Sequence, residues 1–332
     1  MSEAKNIKVR LPFDVGVMHF VGVGGIGMSG IAAVMKNLGY DVRGSDVSES
    51  ATVQQLREKG IPVVIGHSAK NVDGAGAVVV STAIRRDNPE ILAARARHIP
   101  VVRRADMLAE LMRLKWTISV AGTHGKTTTT TMVAALLDAA GLDPTVINGG
   151  VINAYGANAR IGEGDWMVVE ADEYDWSFLE LHPDVAIVTN VDYDHPDLFP
   201  GVDAYDAAFA AFVAGMRREG TLVIAGDDPG CRRVMGRADW EPPQHVVTFG
   251  ETDGADWRLE QTDEGSRVTG PDDIAVPLTL AVPGKHNARN GAAALAALIA
   301  LGYDAAASAA ALETFRGVGR RFETKGEAGG VL

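Results

Sequence analysis

Gly122, Thr123, His124, Gly125, Lys126 and Thr127 follow an apolar run at residues 117–121 (TISVA) and lead into a threonine-rich, apolar-spaced run at residues 128–137. A glycine turn that opens a helix offers backbone N–H groups to a phosphate chain, and the helix dipole favours its charge. Lys126 adds a point charge for terminal phosphates, Thr127 offers a hydroxyl to Mg²⁺, and Thr128 continues the same nucleotide-binding run. The spacing is irregular. Two residues instead of four separate the first glycine from the Gly-Lys pair, and Val120 stands where the general motif has glycine. An ordinary strand-to-helix turn containing a chance Gly-Lys-Thr is the competing reading; the strand before and the helix after favour a nucleotide.

A second glycine loop has G-x-G-x-x-G spacing at Gly22, Gly24 and Gly27, with Gly25 and Ile26 inside it, and Asp46 lies 19 residues further on. Physically this predicts a diphosphate on a helix N-terminus with an acid for a ribose. NAD and a nucleotide-sugar both satisfy it, and so does a tight turn under a closely packed helix. Glu170, Asp172 and Glu173 end one apolar run, and Asp192, Asp194 and His195 follow another. Strand ends in a parallel sheet share one rim, where such groups could hold Mg²⁺. A solvated acidic turn is the alternative for all but Glu170, the first polar residue after its run. Asn287 and Asn290 are three apart, share a helix face and present amides suited to adenine; Asn287 as a plain helix cap is the other possibility. Arg103-Arg104 and Arg320-Arg321 are basic pairs placed where phosphate contact is possible.

The elements that must position these groups alternate between strand and helix. Strands are expected at residues 17–21, 42–46, 63–65, 77–80 and 101–102, with helices at 28–38 and 89–97, which is the pattern of a doubly wound parallel sheet. A helix at 107–114 leads to a second start at 117, with further strands at 145–147, 166–169, 185–189, 221–225 and 246–249. Polar–apolar alternation over 255–282 predicts antiparallel hairpins at an edge, and 287–301 an alanine-rich helix. The fold class is therefore α/β: a Rossmann-like domain at 1–113 and a central phosphate-loop ATPase-type domain at 114–325. Residues 326–332 read as a glycine turn entering a strand, the expected start of a further domain.

The 332 residues suffice for two cores, and the net charge of −12 argues against broad nucleic-acid binding. Cys231, the single cysteine, excludes an internal disulfide and a cysteine zinc cluster. No apolar run is long enough to span a bilayer and the N-terminus lacks a signal-peptide core, so a cytoplasmic location is expected. The segment TNVD at 189–192 lacks the lysine of a GTPase base-reading motif.

Taken in order, HFVGVGGIGMSGIA at 19–32, GSD at 44–46, STAI at 81–84, AGTHGKTTTT at 121–130, VEADEYDWSFL at 169–179, TNVDYDH at 189–195, PGKHNARN at 283–290 and GVGRRFE at 317–323 resemble the Mur ligase family. The short phosphate-loop spacing is the one this family uses. The resemblance implies a UDP-sugar on the first domain, with Gly22, Gly24, Gly25, Ile26, Gly27, Asp46, Ser81 and Thr82 around it and His124, with Arg103 or Arg104, near the sugar. It implies ATP, not NAD, on the second. There Lys126 meets the β and γ phosphates, Thr127 and Glu170 hold one Mg²⁺ and His195 helps hold another. Asn287 and Asn290 approach adenine, and Arg321 faces the γ-phosphate. The GVGGIGMSG loop favours the first ligase of peptidoglycan precursor synthesis, which joins L-alanine to UDP-N-acetylmuramate through an acyl phosphate. One departure is that 196–216 has no lysine, so the modified lysine of several sister ligases is absent. The family's third domain carries the amino-acid site, so this chain is expected to bind UDP-sugar and ATP without ligating efficiently. An NAD-dependent oxidoreductase and a non-catalytic nucleotide-binding regulator are the rival readings.

Overall fold

The structure, a computed structural model, describes residues 16–152, 157–262 and 265–315. Arg320, Arg321 and the segment 326–332 lie outside them. The chain divides into two compact units, Met1–Leu114 and Lys115–Leu332.

The first unit runs β1 (Val17–Val21), α1 (Ile26–Asn37), β2 (Val42–Asp46), α2 (Ala51–Glu58), β3 (Val63–Ile65), β4 (Ala75–Val80), α3 (Pro89–Ala96), β5 (Val101–Arg103) and α4 (Arg104–Met112). Its sheet has the order β3-β2-β1-β4-β5 and every pairing is parallel. Strands covered on both faces read as continuous apolar runs, and Met18, Phe20, Val21, Val78 and Val79 are fully buried. Strand order reverses between β1 and β4, so a crevice opens at their C-terminal ends, where the loop 22–27 and the Ser81-Thr82 turn lie.

The second unit runs β6 (Trp116–Ala121), α5 (Lys126–Ala139), β7 (Thr145–Ile152), β8 (Ala157–Arg160), β9 (Trp166–Glu170), β10 (Val185–Val188), α6 (Val202–Ala214), β11 (Thr221–Ala225), α7 (Pro229–Met235), β12 (His245–Gly250), β13 (Trp257–Thr262), β14 (Gly265–Thr269), β15 (Ala275–Leu278), α8 (Lys285–Ala300) and α9 (Ala305–Leu312). The sheet order is β15-β14-β13-β12-β11-β10-β6-β9-β7-β8. β6 sits between β10 and β9, parallel to both. The expected hairpins are β13 to β15, antiparallel at one edge, and β7–β8 adds an antiparallel pair at the other. α5 packs on α8, whose Ala292, Ala293, Ala296 and Ala297 are wholly buried; small side chains let the two helices approach closely.

Helix starts differ from the sequence expectation for local reasons. α4 begins at Arg104, three residues early, because Asp106 accepts the Arg103 N–H (3.3 Å) and its guanidinium (2.6 and 3.0 Å). α6 was not assigned from sequence. Tyr205, Asp206, Ala208, Phe209, Ala210, Phe212 and Val213 are all buried, so the helix lacks the polar face that makes a period visible. No helix among the described residues is long and apolar enough to cross a membrane.

Candidate functional site

The glycine loop at residues 122–127 turns sharply out of β6. Gly122 has φ +131° and Gly125, the residue before α5, has φ +85°. A side chain at Gly122 would collide with Thr189 Oγ1, and a Cβ at Gly125 would lie 2.5 Å from Asn290 Oδ1. Both conformation and space therefore require glycine. Asn190 braces the turn as a strand neighbour would: its Oδ1 accepts the His124 N–H (2.9 Å) and its Nδ2 donates to the His124 carbonyl (2.9 Å). Thr189 Oγ1 donates to that same carbonyl at 2.6 Å.

At the mouth of α5, Lys126 Nζ lies 2.6 Å from Glu173 Oε2 and 3.9 Å from Asp172 Oδ1. Thr127 Oγ1 donates to Glu170 Oε1 at 3.0 Å. The register that sets Glu170 beside Val120 brings the carboxylate to the loop. An all-oxygen hydroxyl–carboxylate pair at a helix N-terminus fits Mg²⁺, which takes few protein ligands and completes its shell with water and phosphate. Among the described residues no three His, Cys, Asp or Glu side chains gather as a metal cluster. His195 is brought to Glu173 instead, its Nε2 3.8 Å from Glu173 Oε1. It holds φ +54°, with its N–H on Asp194 Oδ1 (2.7 Å) and its ring edge-on to Tyr174 (5.4 Å). A histidine held in the left-handed region is costly backbone, of the kind that clusters at functional sites.

A cavity of about 620 Å³ opens beside this loop, lined by His124, Gly125, Thr128, Phe249, Asn287 and Asn290 among others. That volume accommodates a nucleoside. α8 starts at Lys285, so Asn287 lies inside the helix and does not cap it; its Nδ2 donates to the Pro283 carbonyl (2.6 Å). Arg289, also on the cavity wall, is pinned by Asp227 (2.6 and 2.9 Å). Burial pushes the Asp227 carboxyl up, but the bond from Arg289 wins and leaves it below its ordinary value. In sequence Glu173 reads equally as a solvated acid, and nothing local marks Asn190 or Arg289. Their partners lie 47, 66 and 62 residues away in sequence, and no local pattern signals such pairs.

In the first unit, the Ser45 carbonyl accepts the N–H of Gly22 (2.8 Å) and of Val23 (3.0 Å). Asp46 Oδ2 accepts the Gly24 N–H at 2.8 Å, and Asp46 Oδ1 the Ser48 N–H at 3.2 Å. The acid expected near a ribose thus lies against the glycine loop itself. Gly25 precedes α1 without a side-chain cap. Arg104 crosses the first turn of α1: a Cβ on Gly27 would lie 3.2 Å from its Cδ and 3.4 Å from its Nη1. Ile84, just past the Ser81-Thr82 turn, closes over Gly22 in the same way, at 2.8 Å. Arg103 is turned to Asp106, so Arg104 is the member of the pair at the loop.

Beneath this rim Glu90 is fully buried. It accepts Ser45 Oγ (2.6 Å), Asn71 Nδ2 (2.5 Å) and the Ser68 N–H (3.3 Å), with His19 Nε2 and His67 Nδ1 each 3.4 Å away. Burial alone would raise its pKa; the donors, His19 and Ser45 foremost, outweigh it and hold the carboxyl at about 2.

A parallel sheet with a glycine loop at its crossover, followed by a unit whose lysine and Thr–Glu pair flank a helix N-terminus, has the build of a two-part nucleotide-binding enzyme. The family models agree: residues 17–116 match the Mur ligase family catalytic domain and 120–298 the Mur ligase middle domain. The chain belongs to the Mur ligase family. It is 54% identical to the UDP-N-acetylmuramate–L-alanine ligase of a Bradyrhizobium strain, over 97% of this chain and 71% of that protein. The namesake from Nitrobacter hamburgensis is 55% identical over the same shares. Among solved structures, UDP-N-acetylmuramate-alanine ligase MurC of Thermotoga maritima superposes with TM-score 0.80 at 34% identity, over 95% of this chain and 72% of that one. The Neisseria UDP-N-acetylmuramate:L-alanyl-gamma-D-glutamyl-meso-diaminopimelate ligase gives 0.83 at 30%, over 92% and 99%.

Proposed function

We propose that the chain belongs to an ATP-dependent ligase that joins L-alanine to UDP-N-acetylmuramate in peptidoglycan precursor synthesis. The observation that carries this reading is the loop 122–127, whose Lys126 and Thr127 stand beside acids and a nucleoside-sized cavity, in a chain sharing 54% of its residues with a ligase of that name. In this proposal Asn287 and Asn290 flank the adenine and the backbone of residues 122–125 wraps the phosphates. The UDP diphosphate lies on 22–27 with Arg104 as its cation. Arg321 is proposed for the γ-phosphate from the sequence resemblance alone.

The reaction needs charge neutralisation and alignment more than covalent help. The lactyl carboxylate of the sugar attacks the γ-phosphorus, ADP leaves, and the ammonium of Lys126 offsets the charge that accumulates. A Mg²⁺ ion on Thr127 and Glu170 would supply further neutralisation at the β and γ phosphates. The amine of L-alanine then attacks the acyl phosphate and inorganic phosphate departs.

Mass spectrometry of UDP-N-acetylmuramate incubated with ATP, Mg²⁺, L-alanine and a protein carrying this chain tests the reaction. The expected product is heavier by one alanine residue and strictly ATP-dependent. Oxidation of the sugar with NAD as cofactor would overturn the reading.

A further inference from the structure

Glu173 is 1% exposed and its carboxylate faces three functional groups of the second unit. Oε2 takes the Lys126 ammonium at 2.6 Å; Oε1 accepts the Tyr205 hydroxyl at 3.2 Å and stands 3.8 Å from His195 Nε2. The Tyr205 oxygen is also 2.9 Å from Thr123 Oγ1, inside the phosphate loop. Around it the tyrosine ring is packed by Phe199, Phe209 and Tyr193, at centroid distances of 4.9, 5.2 and 6.0 Å.

That hole is aromatic and closed, with Tyr205 at 0% exposure. Phenylalanine would fill it equally well, so the hydroxyl is the only part of the side chain that packing leaves unexplained. A buried hydroxyl is costly unless bonded, and this one spends its bonds on Glu173 and Thr123. Burial pushes its pKa up, so it remains a proton donor to the carboxylate. A buried lysine–carboxylate pair likewise loses hydration that the Coulomb attraction restores only when further donors complete the carboxylate. Such a pair contributes little net stability, but it fixes where the ammonium sits.

We propose that Glu173 is a positioning residue that holds the Lys126 ammonium at the mouth of α5, and that the Tyr205 hydroxyl orients Glu173 for that task. The proposal rests on the nucleotide reading of the loop given above. Its path is Tyr205 from α6, Glu173 from the segment after β9, and Lys126 at the start of α5. The tyrosine touches no substrate. Its effect on a nucleotide passes through the lysine and so depends on how many phosphates the nucleotide carries.

The test is a phosphate ladder on Tyr205→Phe: ATP and ADP by calorimetric titration, and AMP by displacement of a fluorescent adenosine analogue. Loss of one oriented hydrogen bond predicts ATP affinity lower by about 3- to 10-fold and AMP affinity unchanged. Equal weakening of ATP and AMP would assign Tyr205 a merely structural role, and unchanged ATP would remove it from the site; either overturns the proposal. Glu173→Asp, which withdraws the carboxylate by one methylene, gives the same phosphate-dependent loss and serves if the phenylalanine variant does not fold. Wild-type protein that binds AMP and ATP not at all would instead overturn the nucleotide reading, and this proposal with it.

Discussion

Glu90 and Glu173 are both buried carboxylates placed under a glycine loop, one in each unit, and they are held in opposite ways. The donors to Glu90 are short and fixed: a serine, an asparagine amide, a backbone N–H and the rings of His19 and His67, each anchored in the unit's own elements. The main donor to Glu173 is the tip of a lysine, a point charge on a flexible four-carbon stem. A carboxylate satisfied by short, rigid donors from several elements keeps its charge and fastens strands together. One satisfied by a lysine at a helix N-terminus holds a charge in waiting for an anion. Burial alone therefore does not tell the two apart; the chemistry of the partner does.

Removing the rigid arrangement has the largest expected effect. Glu90→Leu leaves the buried Ser45 and His19 and the half-buried Asn71 without their acceptor and lowers the first unit's stability by about 4 kcal/mol, read by chemical denaturation. ATP affinity stays unchanged in the same variant, and a loss there would erase the contrast. Acid has a related effect. The folded pKa of Glu90 is about 2 against an ordinary 4.5, so its contribution is complete above pH 4.5 and disappears as pH falls through about 2. That contribution amounts to about 3 kcal/mol, and stability measured from pH 6 to pH 2 in the wild type and in Glu90→Leu separates it from other acid effects. On the other side, Lys126→Ala lowers ATP affinity by about 100-fold. A large fall in stability with intact ATP binding would make Lys126–Glu173 a second fastening. The smallest effect is at the loop brace: Asn190→Ala frees the His124 peptide and weakens ATP by about 5-fold, measured by the same titration.

Much of this was legible in sequence where chemistry is local. The apolar runs marked the parallel strands, and Gly122 to Thr127, Glu170 and Asn287–Asn290 fell where the structure brings them around one cavity or one helix mouth. The spacing of Gly22, Gly24 and Gly27 was readable too, and so was Asp46, whose carboxylate lies on that loop. What stayed hidden depends on long-range pairing. Tyr205 reads as one more aromatic in an apolar stretch until Glu173 is seen 3.2 Å from its hydroxyl. Glu90 reads as a surface acid at the start of a helix, because its donors come from strands and turns up to 71 residues away. Asn190 lies within the TNVDYDH run, but nothing local signals its partner, and its role exists only once β10 lies beside β6.

The proposed function requires two separate nucleotide seats, one on each glycine loop. Calorimetric titration of UDP-N-acetylmuramate into protein already saturated with ATP and Mg²⁺ tests it most directly. The account predicts one UDP-sugar bound per chain, with an affinity little changed from that of the ATP-free protein. Competition between the two for a single site, or NADH binding more tightly than the UDP-sugar, would contradict it.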